Sequence, residues 1–94
     1  MAAYLVADVD VADPDGFEEY RKLAIPTLGK YGARVLAGGG VEVLEGDWNP
    51  RRVALVRFDS VAQVRRWYES PEYAEAKRIR DRTATTRFII VEGL

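Results

Sequence analysis

A chain of 94 residues supplies one domain, residues 1–94, with a single core. It carries 14 Lys+Arg against 15 Asp+Glu, is 48% hydrophobic and has neither Cys nor His. That balance is a folded protein's, and the two absences exclude zinc-finger clusters, thiol chemistry and His-centred triads and deprive a haem iron of its commonest ligands, so neither metal nor cofactor is expected.

Residues 3–11 open the chain with a period of two, odd positions apolar and even positions reading Tyr4, Val6, Asp8 and Asp10. This is a strand with one dry and one mixed face. Asp13 and Pro14 then provide an N-cap and a first helical residue. Phe17, Tyr20, Ala24, Leu28 and Tyr31 recur at spacings of three and four, an apolar stripe on a helix that Pro26 is expected to kink or restart and Gly32 to end. A second strand begins at Arg34, is interrupted by Gly38-Gly39-Gly40, where a bulge or bend is expected, and resumes over Val41–Leu44. After a turn at 46–50, residues 52–59 read as a third strand. Ser60 with Gln63 forms a capping-box pair at the head of a helix whose apolar face is Val61, Val64, Trp67 and Tyr68. Ser70-Pro71 stops that helix and starts another, carrying Tyr73, Ala76 and Ile79; Arg87–Val91 is the closing strand.

Strand, helix, strand, strand, helix pair, strand is the order of a ferredoxin-like split βαβ fold, α+β in class, with a four-stranded antiparallel sheet and its helices on one face. The opposite face is then expected to be polar. Val53-Ala54-Leu55-Val56 and Phe88-Ile89-Ile90-Val91 show no alternation, so both faces of those strands avoid water. Each buried aliphatic side chain is worth about 1.5–3 kcal/mol. In so short a chain the available cover is a second copy, and a homodimer through the sheet face is expected. The alternative is that the third helical segment wraps that face.

Asp13-Pro14 with Tyr20, Tyr31-Gly32-Ala33-Arg34, Leu44–Trp48, Phe58-Asp59-Ser60, Trp67-Tyr68, Ser70-Pro71-Glu72-Tyr73 and Val91-Glu92-Gly93 together resemble the domain of unknown function 1330 family across essentially the whole chain. The family pattern usually has Gly-Gly where Gly32-Ala33 stands here. The resemblance implies a dimeric α/β barrel and brings no activity. The wider superfamily holds cofactor-free oxygenases, lactone isomerases, haem degraders and sensors, an analogy of fold only.

Asp8 and Asp10 on the mixed face of the first strand, and Arg57 within the apolar third strand, must be paired or solvated. Asp8 is a candidate general base and Arg57 a candidate stabiliser of an enolate or carboxylate; a structural ion pair at the dimer is the alternative. Arg34 is a candidate grip for an anion, and Glu45 a candidate for moving a proton, unless the two pair with each other or across the dimer. Tyr20, Trp67, Tyr68 and Tyr73 suit a ligand pocket between helices and sheet as well as a plain core. Lys77, Arg78, Arg80, Arg82 and Arg87 form a basic run interleaved with Glu72, Glu75 and Asp81. It reads as a solvated face with local ion pairs, Arg80 having the option of turning toward the aromatic cluster. With a net charge of −1, nucleic acid is not an expected partner. No apolar run approaches the roughly 20 residues of a membrane helix, and no signal peptide is visible, so no membrane partner and a cytoplasmic location are expected. The expected function is that of a homodimeric small-molecule-binding protein, either a cofactor-free enzyme for a small anionic or enolisable substrate or a non-catalytic ligand-binding or sensing dimer.

Overall fold

The computed structural model describes residues 1–94. Its order is β1 (Ala3–Val11), α1 (Pro14–Lys30), β2 (Arg34–Gly39), β3 (Val53–Phe58), α2 (Val61–Tyr68), α3 (Pro71–Thr83) and β4 (Ala84–Glu92). The strands form one antiparallel sheet in the order β2-β3-β1-β4. This is the ferredoxin-like arrangement expected from the sequence. The slab measures 34 × 32 × 16 Å, the thickness of two layers.

The helix starts are capped by the residues that can do it. Asp13 accepts the Gly16 amide at 3.1 Å, Ser60 the Gln63 amide at 3.1 Å and Ser70 the Tyr73 amide at 3.2 Å. The capping box at Ser60 is only half made. The Gln63 side chain turns away and donates to the Tyr31 carbonyl at 3.1 Å, tying α2 to the end of α1. That end is a Schellman turn: Ala33 donates to the Leu28 carbonyl and Gly32 to that of Gly29, with Gly32 at φ 71°.

Three expectations are corrected. Pro26 does not restart α1, which runs as one helix from Pro14 to Lys30. Pro26 is exposed, so the Lys22 carbonyl deprived of a partner can bond water. The irregularity of β2 lies between Val35 and Ala37, displacing Leu36, and not at the glycines. Residues 41–44 are not a strand; β2 ends its pairing with β3 at Gly39, opposite Val53, leaving their alternating pattern without a strand partner.

One sheet face carries the core. Ala3, Leu5, Ala7 and Val9 are buried, and Leu5 packs with Val56, Phe58, Val64, Trp67, Tyr73 and Ala76. Helix α3 packs along α1, on the covered side, rather than wrapping the other face. On that other face the register sets Ile89, Val6 and Leu55 side by side, Val91, Tyr4 and Arg57 to one side of them, and Arg87, Asp8 and Val53 to the other. Ile89 is 57% exposed, Val91 46% and Leu55 37%.

Candidate functional site

Small residues leave a space between α1 and the sheet. Ala7, Ala37, Gly38 and Ala54 on the strands, opposite Ala24 on α1, enclose a cavity of about 300 Å³, at the lower end of the range for small-molecule sites. Of its 19 lining residues 15 are hydrophobic, and the only charged ones are Arg21 and Arg52. Both arginines are exposed and therefore stand at its rim. Arg21 has a loose 3.6 Å contact with Glu18. No carboxylate lines the space.

Its inner wall includes Tyr20, Trp67 and Phe88. Trp67 is held by its indole N–H, which donates to the Thr27 hydroxyl at 2.8 Å; Thr27 in turn donates to the Ala24 carbonyl at 2.6 Å. The Trp67 and Tyr73 ring centroids are 4.1 Å apart and those of Tyr68 and Phe88 6.3 Å. Behind Tyr20 runs a polar chain. The hydroxyls of Tyr20 and Tyr73 are 2.9 Å apart, and the Arg80 guanidinium donates to the Tyr73 oxygen at 3.0 Å. Arg80 is 5% exposed, lies 4.6 Å from the Phe88 ring centroid, meets Asp81 at 3.1 Å and leaves its buried Nε without a partner. Burial pushes the Tyr20 and Tyr73 phenols up from their ordinary range. Tyr68 moves the other way, lowered by the neighbouring Lys77 ammonium and then by Arg80, with Lys77 4.2 Å from its ring centroid.

Five of the residues singled out in the sequence thus come together: Tyr20, Trp67, Tyr68, Tyr73 and Arg80. Tyr20 and Trp67 line the cavity, and the other three back it. Arg34, Asp8, Glu45 and Arg57 lie elsewhere. Arg34 is exposed on β2 opposite Arg57, which bonds Asp59 at 3.2 Å. Asp8 contacts Arg87 at 3.7 Å and accepts from the Trp48 indole at 3.2 Å. Asp8 and Arg57 share the open face but stand four positions apart along paired strands, about 13 Å. Glu45 lies in the exposed 40–50 segment, beside a second, wider hollow of about 870 Å³ bordered by Val6, Val53, Leu55 and Trp48. No three acidic side chains cluster as metal ligands do, and no helix is long and apolar enough to cross a membrane.

Arg21 and Arg52 escaped the sequence reading. Arg21 follows Phe17 by four residues, so it borders the apolar stripe, and Arg52 abuts the largely apolar strand 53–58; neither signal separates a rim residue from a surface one.

Fold and cavity together define a ferredoxin-like α+β protein with a small-molecule-sized space between its layers. The sequence matches the family described as Domain of unknown function (DUF1330) over residues 2–94, and the chain belongs to that family. No curated protein matches it. Among solved structures it is similar to RPA0582, a protein of unknown function from Rhodopseudomonas palustris (21% identity, TM-score 0.81, 99% of this chain and 82% of that one). A dimeric ferredoxin-like protein of unknown function from Jannaschia sp. CCS1 is similar at 11% identity and TM-score 0.75, covering 99% of this chain and 100% of that one. SnoaB, a cofactor-independent oxygenase from Streptomyces nogalater, is similar at 13% identity and TM-score 0.72, covering 99% and 93% respectively.

Proposed function

We propose that the protein is a homodimer that binds a small molecule with an apolar body and an anionic or enolisable group. The observation that carries this reading is the cavity itself: fifteen hydrophobic lining residues and, as its only charges, two rim arginines. An apolar body would leave water for the interior while an acidic group met Arg21 and Arg52, whose planar forks suit a carboxylate. Tyr20 and Trp67 would touch the ligand; Tyr68, Tyr73 and Arg80 would hold that wall in place. Asp8, Arg34 and Arg57 would serve the open sheet face, where Val6, Leu55 and Ile89 offer a second copy an apolar centre, and Glu45 would border that contact.

The test is a thermal-shift series with aromatic carboxylates. Binding to the native state raises stability by mass action, about 2.7 kcal/mol at a hundredfold excess over Kd. Wild type should be stabilised, and Ala54→Phe, which fills the space, should fold and show no shift. A shift that survives Ala54→Phe together with alanines at Arg21 and Arg52 would place the ligand elsewhere.

A cofactor-free enzyme is the second reading. The hydroxyl chain behind Tyr20 favours it, as does the fold shared with SnoaB, itself a cofactor-independent oxygenase. The lack of a lining carboxylate weighs toward binding without proton abstraction, since a base must lie within hydrogen-bond reach of its proton. Turnover of an enolisable aromatic substrate, abolished in Tyr20→Phe, would decide for the enzyme.

A further inference from the structure

The direction of the hydrogen bonds behind the cavity can be worked out by elimination. A guanidinium has donors only, so the Tyr73 oxygen accepts from Arg80. Tyr73 is fully buried, and the Tyr20 oxygen is the one acceptor within reach of its hydroxyl hydrogen. Tyr73 must therefore donate to Tyr20, because the reverse would strand a buried donor. The Tyr20 hydroxyl is left accepting one bond, with its own hydrogen bonded to nothing in the chain. Tyr20 is also the member of the relay that lines the cavity.

We propose that Tyr20 is the hydrogen-bond donor that recognises an acceptor oxygen, a carbonyl or enolate, on the ligand, with Arg80 polarising it through Tyr73. This rests on the cavity being a ligand site. It adds a polarity to that site: acidic group toward Arg21 and Arg52, carbonyl-type oxygen toward Tyr20. Each hydrogen bond in such a chain strengthens the next, and the buried guanidinium supplies the charge at its head. Burial keeps Tyr20 protonated, so that it acts as a donor and not as a base.

Two probes of nearly equal shape test this. 4-Acetylbenzoate carries a carbonyl where 4-isopropenylbenzoate carries a methylene. Calorimetric titration of wild type should show the ketone binding about tenfold more tightly, the effect of one good hydrogen bond. Tyr20→Phe should abolish that preference, so that ketone and alkene bind equally. The infrared carbonyl band of bound 4-acetylbenzoate should move to lower frequency in wild type, return to its unbonded position in Tyr20→Phe, and fall between the two in Tyr73→Phe. A band in Tyr73→Phe identical to wild type overturns the relay. If wild type binds both probes equally, or the preference survives Tyr20→Phe, the donor assignment falls and the cavity stands. If neither probe binds at millimolar concentration, the cavity reading falls and takes the donor with it.

Discussion

Glu72 shows how a single exposed carboxylate can report on the packing of two helices. It sits in the first turn of α3, where the helix dipole already favours a negative charge. From the end of α1, Lys30 reaches it at 2.9 Å and the Tyr31 hydroxyl donates to it at 3.0 Å. Lys30 foremost, with the Glu72 amide and the Tyr31 hydroxyl, holds its carboxyl down at about 2, against an ordinary 4.5. A folded-state value below the unfolded one stabilises the protein above the unfolded value, and that stabilisation disappears as pH falls through the folded one. Glu72→Gln should therefore have the lower melting temperature at pH 7, and the gap from wild type should close between pH 4.5 and pH 2. Melting curves at half-unit intervals would check this; two parallel lines across that window would mean that Glu72 is not coupled to folding. Tyr20 and Arg80 make a related point about legibility. The helical stripe set Tyr20 on the core side and left Arg80 a choice between a solvated face and the aromatic cluster, but the order of a relay depends on rotamers and burial, which periodicity does not carry.

Among the elements, caps and stripes were readable because their signals are local. Asp13, Ser60 and Ser70 each bond an amide three residues on, and all three helices start where those residues stand. The misses are local rules overruled by surroundings. Residues 41–44 alternate as a strand does, yet a strand needs a partner, and β3 offers none beyond Val53, the residue opposite Gly39. Pro26 is the other case. Its ring costs a helix interior about 3 kcal/mol relative to Ala, but Ala24, Thr27 and Leu28 on either side are buried and keep the helix on course. Pro26→Ala restores an N–H for the Lys22 carbonyl at an exposed position, and should raise stability by about 1–3 kcal/mol, several degrees in Tm for a domain of this size. Thermal unfolding by circular dichroism measures it directly. An unchanged or lower Tm would mean that proline's restriction of the unfolded chain outweighs the missing bond.

For the whole molecule, the two faces of the sheet have different work. The covered face holds the core and cavity, and its existence followed from the alternation in β1. The cavity did not, because it arises where small residues from four separate segments, Ala7, Ala24, Gly38 and Ala54, happen to oppose each other. The open face carries Ile89, Val6 and Leu55 in one row, with Leu55 in the middle strand pair and the charges Asp8, Arg57 and Arg87 in the rows beside it. A second copy would bury the row against its own equivalent, and a net charge of −1 offers little repulsion to that approach. Leu55→Glu would put a carboxylate from each copy into the apolar centre, where burying an unpaired charge costs several kcal/mol. Wild type should sediment as a dimer at micromolar concentration and Leu55→Glu as a monomer with the same far-ultraviolet spectrum. Because the cavity opens on the other side of the sheet, the monomeric variant should still bind 4-acetylbenzoate. A Leu55→Glu protein that remains dimeric would move the interface off this face, and one that dissociates and loses the probe would mean that the second copy helps to shape the site.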